Sequence, residues 1–278
     1  MALPLYMTTS EKVSYYGLRI FVGLVLLFLI APILAIMPLS FNSESFFSYP
    51  MPGFSTRWYF GETGFFTNER WTSALKLSVI VAIAATILAT CLGTLAALGL
   101  SRSNIPGRAA IMAVLISPMI VPVIISAIGL FFFYAYTGLN GTLIGIILAH
   151  TALATPFVVI TVTATLMSFD RTLMRAGASL GGAPHTVFFK VVLPLILPGV
   201  ISGALFAFVT SFDEVIVILF IGGPEQRTLP RQMFSGIREL ISPTITAAAS
   251  VLIVFSTFLL VTVELLRRRG ERLRGIKG

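Results

Sequence analysis

The chain has 278 residues, of which 56% are hydrophobic and only 11% are charged. A water-soluble domain of this length could not bury so much apolar surface in one core, so the composition excludes an ordinary soluble enzyme. The formal net charge of +8 would suit a nucleic-acid-binding protein. However, the basic residues are not interleaved with aromatic residues on a compact face, so we expect a membrane protein that does not bind nucleic acid.

A membrane-spanning helix needs roughly 20 mostly apolar residues, because the hydrocarbon layer is about 30 Å thick and each residue rises about 1.5 Å. Six stretches reach this length, so the sequence predicts an all-α polytopic membrane protein with six transmembrane helices. In chain order, these stretches cover residues 17–39, 74–100, 109–134, 142–167, 195–222 and 245–266. The first is too long for a secretory signal peptide and lacks a small-residue cleavage site, so we expect it to be retained.

The distribution of basic residues predicts that both termini lie in the cytoplasm. With this orientation, six of the 19 basic residues face outwards and 13 face the cytoplasm, where membrane proteins carry an excess of lysine and arginine. An even number of spans agrees with this orientation. The predicted organisation is a cytoplasmic tail at 1–16, a membrane domain at 17–266 and a basic cytoplasmic tail at 267–278. Its longest loops are external at 40–72, cytoplasmic at 168–194 and external at 223–244.

The external loop 40–72 carries Trp58, Tyr59 and Trp71, whose amphipathic rings suit the membrane interface. We therefore expect this loop to fold over the outer face of the membrane. Cys91 is the only cysteine and falls inside an apolar span, so neither a disulfide nor a thiol mechanism is indicated. We expect Cys91 to take part in packing.

Proline and small residues inside the spans predict bends and close helix contacts. Each proline removes a backbone donor and crowds the preceding turn, so its helix should be kinked or locally opened. Small residues four positions apart allow two helices to approach closely. The prolines are Pro118, Pro122, Pro156 and Pro198, and the small pairs are Gly93 with Ala97 and Gly203 with Ala207.

The cytoplasmic loop 168–194 has the pattern of a helix, a glycine turn and a second helix opened by Pro184 in the favourable first-turn position. Both helices are expected to lie across the inner face of the membrane. Phe188, Phe189 and Val191 would be costly in water unless a partner protein covered them. The loop therefore predicts a docking surface.

This loop resembles the EAA loop of ABC importer permeases, whose pattern is Glu-Ala-Ala, three residues, Gly, nine residues, Ile, one residue and Leu-Pro. Ala176, Gly181, Val191, Leu193 and Pro194 fall at the matching positions with the spacing intact. Two residues depart from the pattern, because Arg175 stands in place of the Glu and Gly177 in place of the second Ala. The resemblance implies a coupling helix that docks on an ATPase subunit and comprises Arg175, Ala176, Gly177, Gly181, Ala183, Pro184, Phe188, Val191, Leu193 and Pro194.

Other segments look like the spermidine/putrescine branch of these permeases, which is similar to transporters of opines and other small organic solutes as well. These segments comprise Ser55, Thr56, Arg57, Trp58 and Tyr59, the Pro118 and Pro122 pair, Ser211, Phe212, Asp213, Glu214 and Val215, Gly223, Pro224, Thr228, Leu229 and Pro230, and Ser242 with Pro243. The resemblance implies half of a translocation path for a polyamine such as spermidine or putrescine, or for an opine or amino-acid-like solute.

Asp213 and Glu214 form an adjacent acidic pair inside the fifth predicted span, where an unpaired charge costs at least about 2.5 kcal/mol on insertion scales. On one continuous helix the two carboxylates would point about 100° apart, so they need different neighbours. Our hypothesis is that Asp213 lines a cation path and Glu214 ties the helix to a neighbour; equally, both could be structural. The candidate path residues are Asp213, Glu214, Thr210, Phe206, Pro118 and Pro122.

The sequence contains no Gly-Lys dipeptide, so the phosphate-binding loop of ATPases is absent and ATP with its Mg²⁺ is expected on a partner subunit. His150 and His185, the only histidines, have no metal-ligand spacing, so no metal or cofactor is predicted in this chain. The resemblance implies a second, homologous permease, two ATPase subunits, a periplasmic substrate-binding protein and a bacterial inner-membrane location. The alternatives are a proton-coupled secondary transporter and a membrane scaffold that transports nothing.

Overall fold

The computed structural model of the protein describes residues 8–101, 105–167, 169–170, 172–239 and 241–273. Apart from one isolated bridge between Asn42 and Phe54, these residues form helices and loops without a β-strand. The helices are α1 Thr9–Leu39, α2 Arg57–Phe60, α3 Glu69–Leu100, α4 Arg108–Ile120, α5 Val123–Thr137, α6 Leu143–Met167, α7 Thr172–Ser179, α8 Pro184–Val187, α9 Leu193–Asp213, α10 Ile216–Ile221, α11 Leu229–Glu239 and α12 Pro243–Leu273. The all-α prediction is confirmed. Residues 274–278 of the predicted basic tail lie outside the described part.

Five helices of the described chain are long and apolar enough to cross a membrane, and a bent pair, α4 with α5, makes a sixth candidate span. The two halves of this pair meet at 102°, so the span predicted over 109–134 is broken where Pro118 and Pro122 predicted a kink or a local opening. Val121 and Pro122 are both extended at the break. Because a residue that precedes proline is disfavoured in helical geometry, Pro122 ends α4 at this point.

The fifth predicted span also differs from the structure. A helical segment runs without a break from Pro184 to Asp213, through a π-helical turn at Phe188–Val192. The second helix of the cytoplasmic loop is therefore part of the span and is not a separate helix on the membrane face. Beyond Asp213 the chain is extended, and α10 is a separate short helix, so the continuous span predicted over 195–222 is wrong.

The described residues divide into two compact units, and the first lies within Met1–Asn68 and Leu240–Ile253. In this unit, α1 has no buried side chain, and the loop that follows it has a small core of its own. The indole Nε1 of Trp58 donates to the Asn42 carbonyl at 2.7 Å, and the Tyr59 hydroxyl lies 2.6 Å from Ser40 Oγ. Both rings are buried, so they form the core of this loop.

The second unit lies within Glu69–Glu239 and Val254–Gly278, and helices α3, α6 and α9 pack together at its centre. Glycines allow this contact, as the small-residue pairs predicted. A Cβ on Gly93 of α3 would lie 2.6 Å from Val158 Cβ of α6. A Cβ on Gly203 of α9 would lie 2.5 Å from Thr161 Oγ1 of the same α6. Ala97 and Ala207 are fully buried beside these glycines.

The outer part of the second unit is built around α5 and α10, which pack against each other. Ala127 and Tyr134 of α5 share a hydrophobic cluster with Val217 and Ile218 of α10. The loop that follows α10 leads into α11, which covers Leu229–Glu239. It is anchored on α3, because Ser78 Oγ accepts a hydrogen bond from the Leu229 backbone N–H at 2.7 Å. Trp71 of α3 is buried as well.

Cys91, Pro156 and Pro198 all lie inside long helices. Helices α6 and α9 are unbroken at Pro156 and Pro198. Cys91 is a free cysteine on the exposed face of α3, so its predicted packing role within this chain is wrong.

Candidate coupling surface and translocation path

Helix α7 is held at its start by Asp170, whose carboxylate accepts a hydrogen bond from the Thr172 backbone N–H at 2.9 Å. This bond, the Thr172 hydroxyl and, to a smaller extent, the charge of Arg175 lower the pKa of Asp170 below its ordinary value. Asp170 therefore stays ionised at physiological pH. Its negative charge is satisfied within the segment and does not need a partner protein.

The turn after α7 depends on glycine. Gly181 has a φ of +82°, in the left-handed region that favours glycine. A Cβ on Gly182 would lie 2.8 Å from the Gly177 carbonyl oxygen and 3.0 Å from Val187 Cγ2. Gly177 itself faces Val187, because a Cβ there would lie 3.2 Å from the same Cγ2. Glycine at position 177 fits this close contact, since a methyl group there would require the Val187 side chain to shift by a few tenths of an ångström.

After the turn, Pro184 occupies the first turn of α8, as the sequence predicts. Val187 and Val192 are buried, and Phe188 is half-buried against the cluster that also contains Leu166. Phe189 points outwards and is 62% exposed. The prediction of an exposed apolar side chain is therefore confirmed for Phe189, whereas Phe188 and Val191 are only half-exposed.

The outer side of this helix–turn–helix is a mixed apolar and basic surface, which we call the coupling surface. Its exposed apolar side chains are Leu173, Met174, Leu180 and Phe189, and its exposed basic side chains are Arg175 and Lys190. Leu180 is the most exposed of these apolar side chains, with 89% of its surface accessible. Beside Arg175, a mainly apolar cavity of about 420 Å³ opens between α7, Pro184 and the ends of α3 and α6. Ala176 and Ala183 are exposed at the same surface.

The candidate path residues lie near two breaks in the helices. Asp213 is the last residue of α9 and its side chain is exposed on this chain. Glu214 follows in extended geometry, and its Oε1 accepts a hydrogen bond from the Val217 N–H at 2.8 Å. Glu214 thus caps the first turn of α10, which is a local role and differs from the contact with a neighbouring helix that the hypothesis gave it.

Phe206 lies on the exposed side of α9, with half of its surface accessible, and stacks on Phe157 of α6 at a centroid distance of 6.2 Å. Thr210 is half-buried one turn further along α9. Pro118 and Pro122 flank the other break, between α4 and α5. Because α5 and α10 pack together, the segments that follow the two breaks are neighbours.

One pair beside Asp213 carries a contact that the sequence analysis missed. His150 Nδ1 lies 2.9 Å from Ser211 Oγ and 3.1 Å from the Ser211 carbonyl oxygen. Both residues are buried, so the pair ties α6 to the last turn of α9. The sequence indicates only that His150 is hydrogen-bonded, because nothing in the spacing identifies a partner 61 positions away.

Residues 89–272, which include the coupling surface and both acidic residues, match the family of binding-protein-dependent transport system inner membrane components. The chain belongs to this family. It is a multi-pass permease of the bacterial inner membrane, and it acts as a transport subunit and not as an enzyme.

Two characterised permeases and one solved structure resemble this permease over most of its length. The spermidine/putrescine transport system permease protein PotC of Haemophilus influenzae is 32% identical, and the match covers 90% of this permease and 96% of that protein. The putrescine transport system permease protein PotI of Escherichia coli is 33% identical over 81% of this permease and 82% of that protein. A bacterial ABC transporter involved in the import of alginate superposes with a TM-score of 0.75 and 15% identity, covering 96% of this chain and 99% of that chain.

Proposed function

We propose that this permease forms half of the transmembrane path of an ATP-driven polyamine importer and binds ATPase subunits through its coupling surface. The observation that carries the proposal is the 32% identity to a spermidine/putrescine permease over 90% of this chain and 96% of the relative. The other half of the path is a second permease, two ATPase subunits bind and hydrolyse ATP with Mg²⁺, and a periplasmic binding protein delivers the solute.

Docking of an ATPase is supported by the coupling surface itself. Exposed Leu180 and Phe189 would be costly in water and gain free energy when a partner groove removes them from solvent. Arg175 has the opposite charge to the Glu of the family pattern, and Asp170 is already satisfied by Thr172. The groove that receives this surface is therefore apolar with acidic groups opposite Arg175.

The helical segment Pro184–Asp213 supports a direct mechanical link between the coupling surface and the path. It is 30 residues long, so at about 1.5 Å per residue it spans about 45 Å. One end carries Phe189 of the coupling surface, and the other end carries Asp213. When ATP closes the two ATPase subunits, a displacement of the coupling surface is transmitted along this segment and changes the access to the path.

Asp213 supports a path for a cation. Its side chain is exposed on this chain at the end of a broken span, and broken helices commonly surround the solute sites of transporters. A carboxylate facing lipid would cost about 2.5 to 3.5 kcal/mol, whereas one facing an aqueous path between two permeases stays hydrated. An ammonium group of a polyamine can then replace part of that hydration with a charge-assisted hydrogen bond.

Uptake by the reconstituted complex tests the proposal. Proteoliposomes that contain both permeases and both ATPase subunits are expected to take up radiolabelled spermidine or putrescine under two conditions. ATP must be present on the side of the membrane that carries the ATPase subunits, and solute-loaded binding protein must be present on the opposite side. A variant of the ATPase that cannot hydrolyse ATP is the matched control. Uptake of an opine or an amino acid in place of the polyamine would favour the alternative solute class. Uptake by this permease alone, driven by a proton gradient without ATP, would contradict the proposal and favour a secondary transporter.

A further inference from the structure

A second cavity, of about 530 Å³, lies at the opposite end of the second unit from the coupling surface. Arg70, near the start of α3, lines this cavity, whereas Leu98, near the end of α3, lines the cavity beside Arg175. Because α3 has 32 residues, its two ends are about 48 Å apart. The two cavities therefore belong to opposite sides of the membrane, and we call this one the outer cavity.

The charge of the outer cavity excludes the proposed cargo as its ligand. Its charged lining residues are Arg70, Arg227 and Glu225, and Arg231 lies directly behind the wall. Burial and the nearby charge of Arg227 lower the pKa of the Arg231 guanidinium, so Arg227 and Arg231 lie close enough for their charges to interact. A polyamine would be repelled here, whereas a carboxylate would be attracted.

The wall of the outer cavity is fixed before any ligand binds. Gln226 Nε2 donates to the Gly141 carbonyl at 2.7 Å, and Gln226 Oε1 accepts from the Gly223 N–H at 3.0 Å. Arg231 Nη1 donates to the carbonyls of Gly223 and Gln226 at 2.8 and 2.9 Å. These bonds hold the loop between α10 and α11 in place, so ordering it costs little free energy on binding.

One cation of the outer cavity, Arg227, has unused hydrogen-bonding capacity. Arg227 is exposed, and within the described part its hydrogen bond is from Nε to the Pro224 carbonyl at 3.3 Å, which leaves both Nη groups to face a ligand.

We propose that the outer cavity receives an acidic side chain, Asp or Glu, of the periplasmic binding protein, which pairs with Arg227. The family of this permease depends on a binding protein, and such a protein must dock on the side opposite the ATPases. Leu77 and Leu143 supply apolar surface for the methylene groups of that side chain. This inference rests on the proposed function for the existence of the partner, but not for the identity of the solute.

The test measures the affinity of the purified binding protein for the complete complex in nanodiscs, together with ATPase activity with and without binding protein. Arg227→Gln is expected to weaken docking about tenfold and to reduce its salt dependence, because one charge pair is lost. Glu225→Gln is expected to strengthen docking, since it removes a like charge. Arg238→Gln, a matched loss of an exposed cation on the same α11 but outside the cavity, is expected to change the affinity by less than about twofold. Basal ATPase activity should be the same in all three variants.

Equal effects of Arg227→Gln and Arg238→Gln would overturn the inference, as would a shift in the same direction by Arg227→Gln and Glu225→Gln. The docking assay is repeated in nanodiscs with and without anionic lipid. If Arg227→Gln acts only when anionic lipid is present, the cavity binds a lipid headgroup and the inference is wrong. A wild-type complex that docks its binding protein but does not transport polyamine would contradict the proposed solute and leave the docking inference standing.

Discussion

At the scale of single residues, glycines decide how closely the central helices approach. A Cβ on Gly203 would lie 2.9 Å from the Val158 Cα and 2.5 Å from Thr161 Oγ1, and that hydroxyl already donates to the Phe157 carbonyl at 2.9 Å. Real Cβ atoms do not approach backbone atoms so closely, so α6 and α9 would have to separate. Without water to compete, close van der Waals contact is a main source of helix association in a membrane.

We therefore expect Gly203→Ala to destabilise this permease by roughly 1 to 3 kcal/mol, because overpacking displaces both helices. Gly129→Ala is the matched control, since Gly129 lies in α5 with no atom within 4 Å of its missing Cβ. The midpoint of thermal unfolding in detergent should fall for Gly203→Ala and stay the same or rise for Gly129→Ala. Equal midpoints for both variants would contradict the close contact between α6 and α9.

Asp213 provides a second prediction at this scale. Asp213→Asn keeps the size of the side chain but removes its charge, so a path that uses this carboxylate should lose a charge-assisted hydrogen bond of roughly 1.5 to 3 kcal/mol. The expected result is about a 10- to 100-fold fall in kcat/KM for polyamine uptake, with normal assembly of the complex. In contrast, Glu214→Gln keeps an oxygen that can accept from Val217, so it should lower uptake much less. Unchanged uptake by Asp213→Asn would eliminate its role in the path.

At the scale of helices, the helix–turn–helix that carries the coupling surface has buried side chains on its inner side and exposed apolar side chains on its outer side. Val187 and Val192 are buried, whereas Leu180 has 89% of its surface exposed at the turn. We expect Leu180→Ser to weaken binding of the ATPase subunits about tenfold, because an apolar anchor is lost from the interface. Tyr136→Ser is the control, because Tyr136 is equally exposed, at 92%, but lies at the C-terminal end of α5.

Co-purification of the ATPase subunits and ATP-dependent uptake measure this effect. Both should fall for Leu180→Ser, while the thermal stability of the isolated permease stays unchanged because Leu180 contributes little to its core. A fall in stability equal to the fall in ATPase binding would mean that Leu180 acts on the fold, and the docking role would then be abandoned.

The helices show where sequence reasoning succeeds and where it stops. Apolar runs of about 20 residues located all six candidate spans, because the bilayer sets their length and composition. Hydropathy could not detect the break after Asp213, since the residues beyond it are just as apolar and the break depends on capping of α10 by Glu214. Likewise, Pro118 and Pro122 predicted a kink but not its angle of 102°.

The sequence also predicted the position of the coupling surface but not all of its geometry. The spacing of Ala176, Gly181 and Leu193 located the coupling surface, because the glycine turn fixes the geometry of the two helices. It could not show that Phe188 turns towards the core or that the second helix continues into the span. The burial of Trp58 could not be predicted for a related reason, because its partner, the Asn42 carbonyl, is brought to it by the fold of the loop.

At the scale of the whole molecule, exposed apolar surface and charge together describe its setting. Helix α1 has no buried side chain, so lipid or a second permease must cover it in the membrane. The basic residues predict that the coupling surface lies in the cytoplasm and that the outer cavity lies in the periplasm. This orientation is what allows one side to meet an ATPase and the other a binding protein.

Single cysteines can test the orientation directly, because Cys91 is the only native cysteine and Cys91→Ser gives a background without thiols. In this background, Leu180→Cys and Arg238→Cys each place one exposed thiol, at the coupling surface and on α11. A membrane-impermeant maleimide is expected to label Arg238→Cys in intact spheroplasts and Leu180→Cys only in inverted vesicles. Labelling of Leu180→Cys from outside would reverse the topology, and the coupling surface could not then meet an ATPase, because ATP is available on the cytoplasmic side.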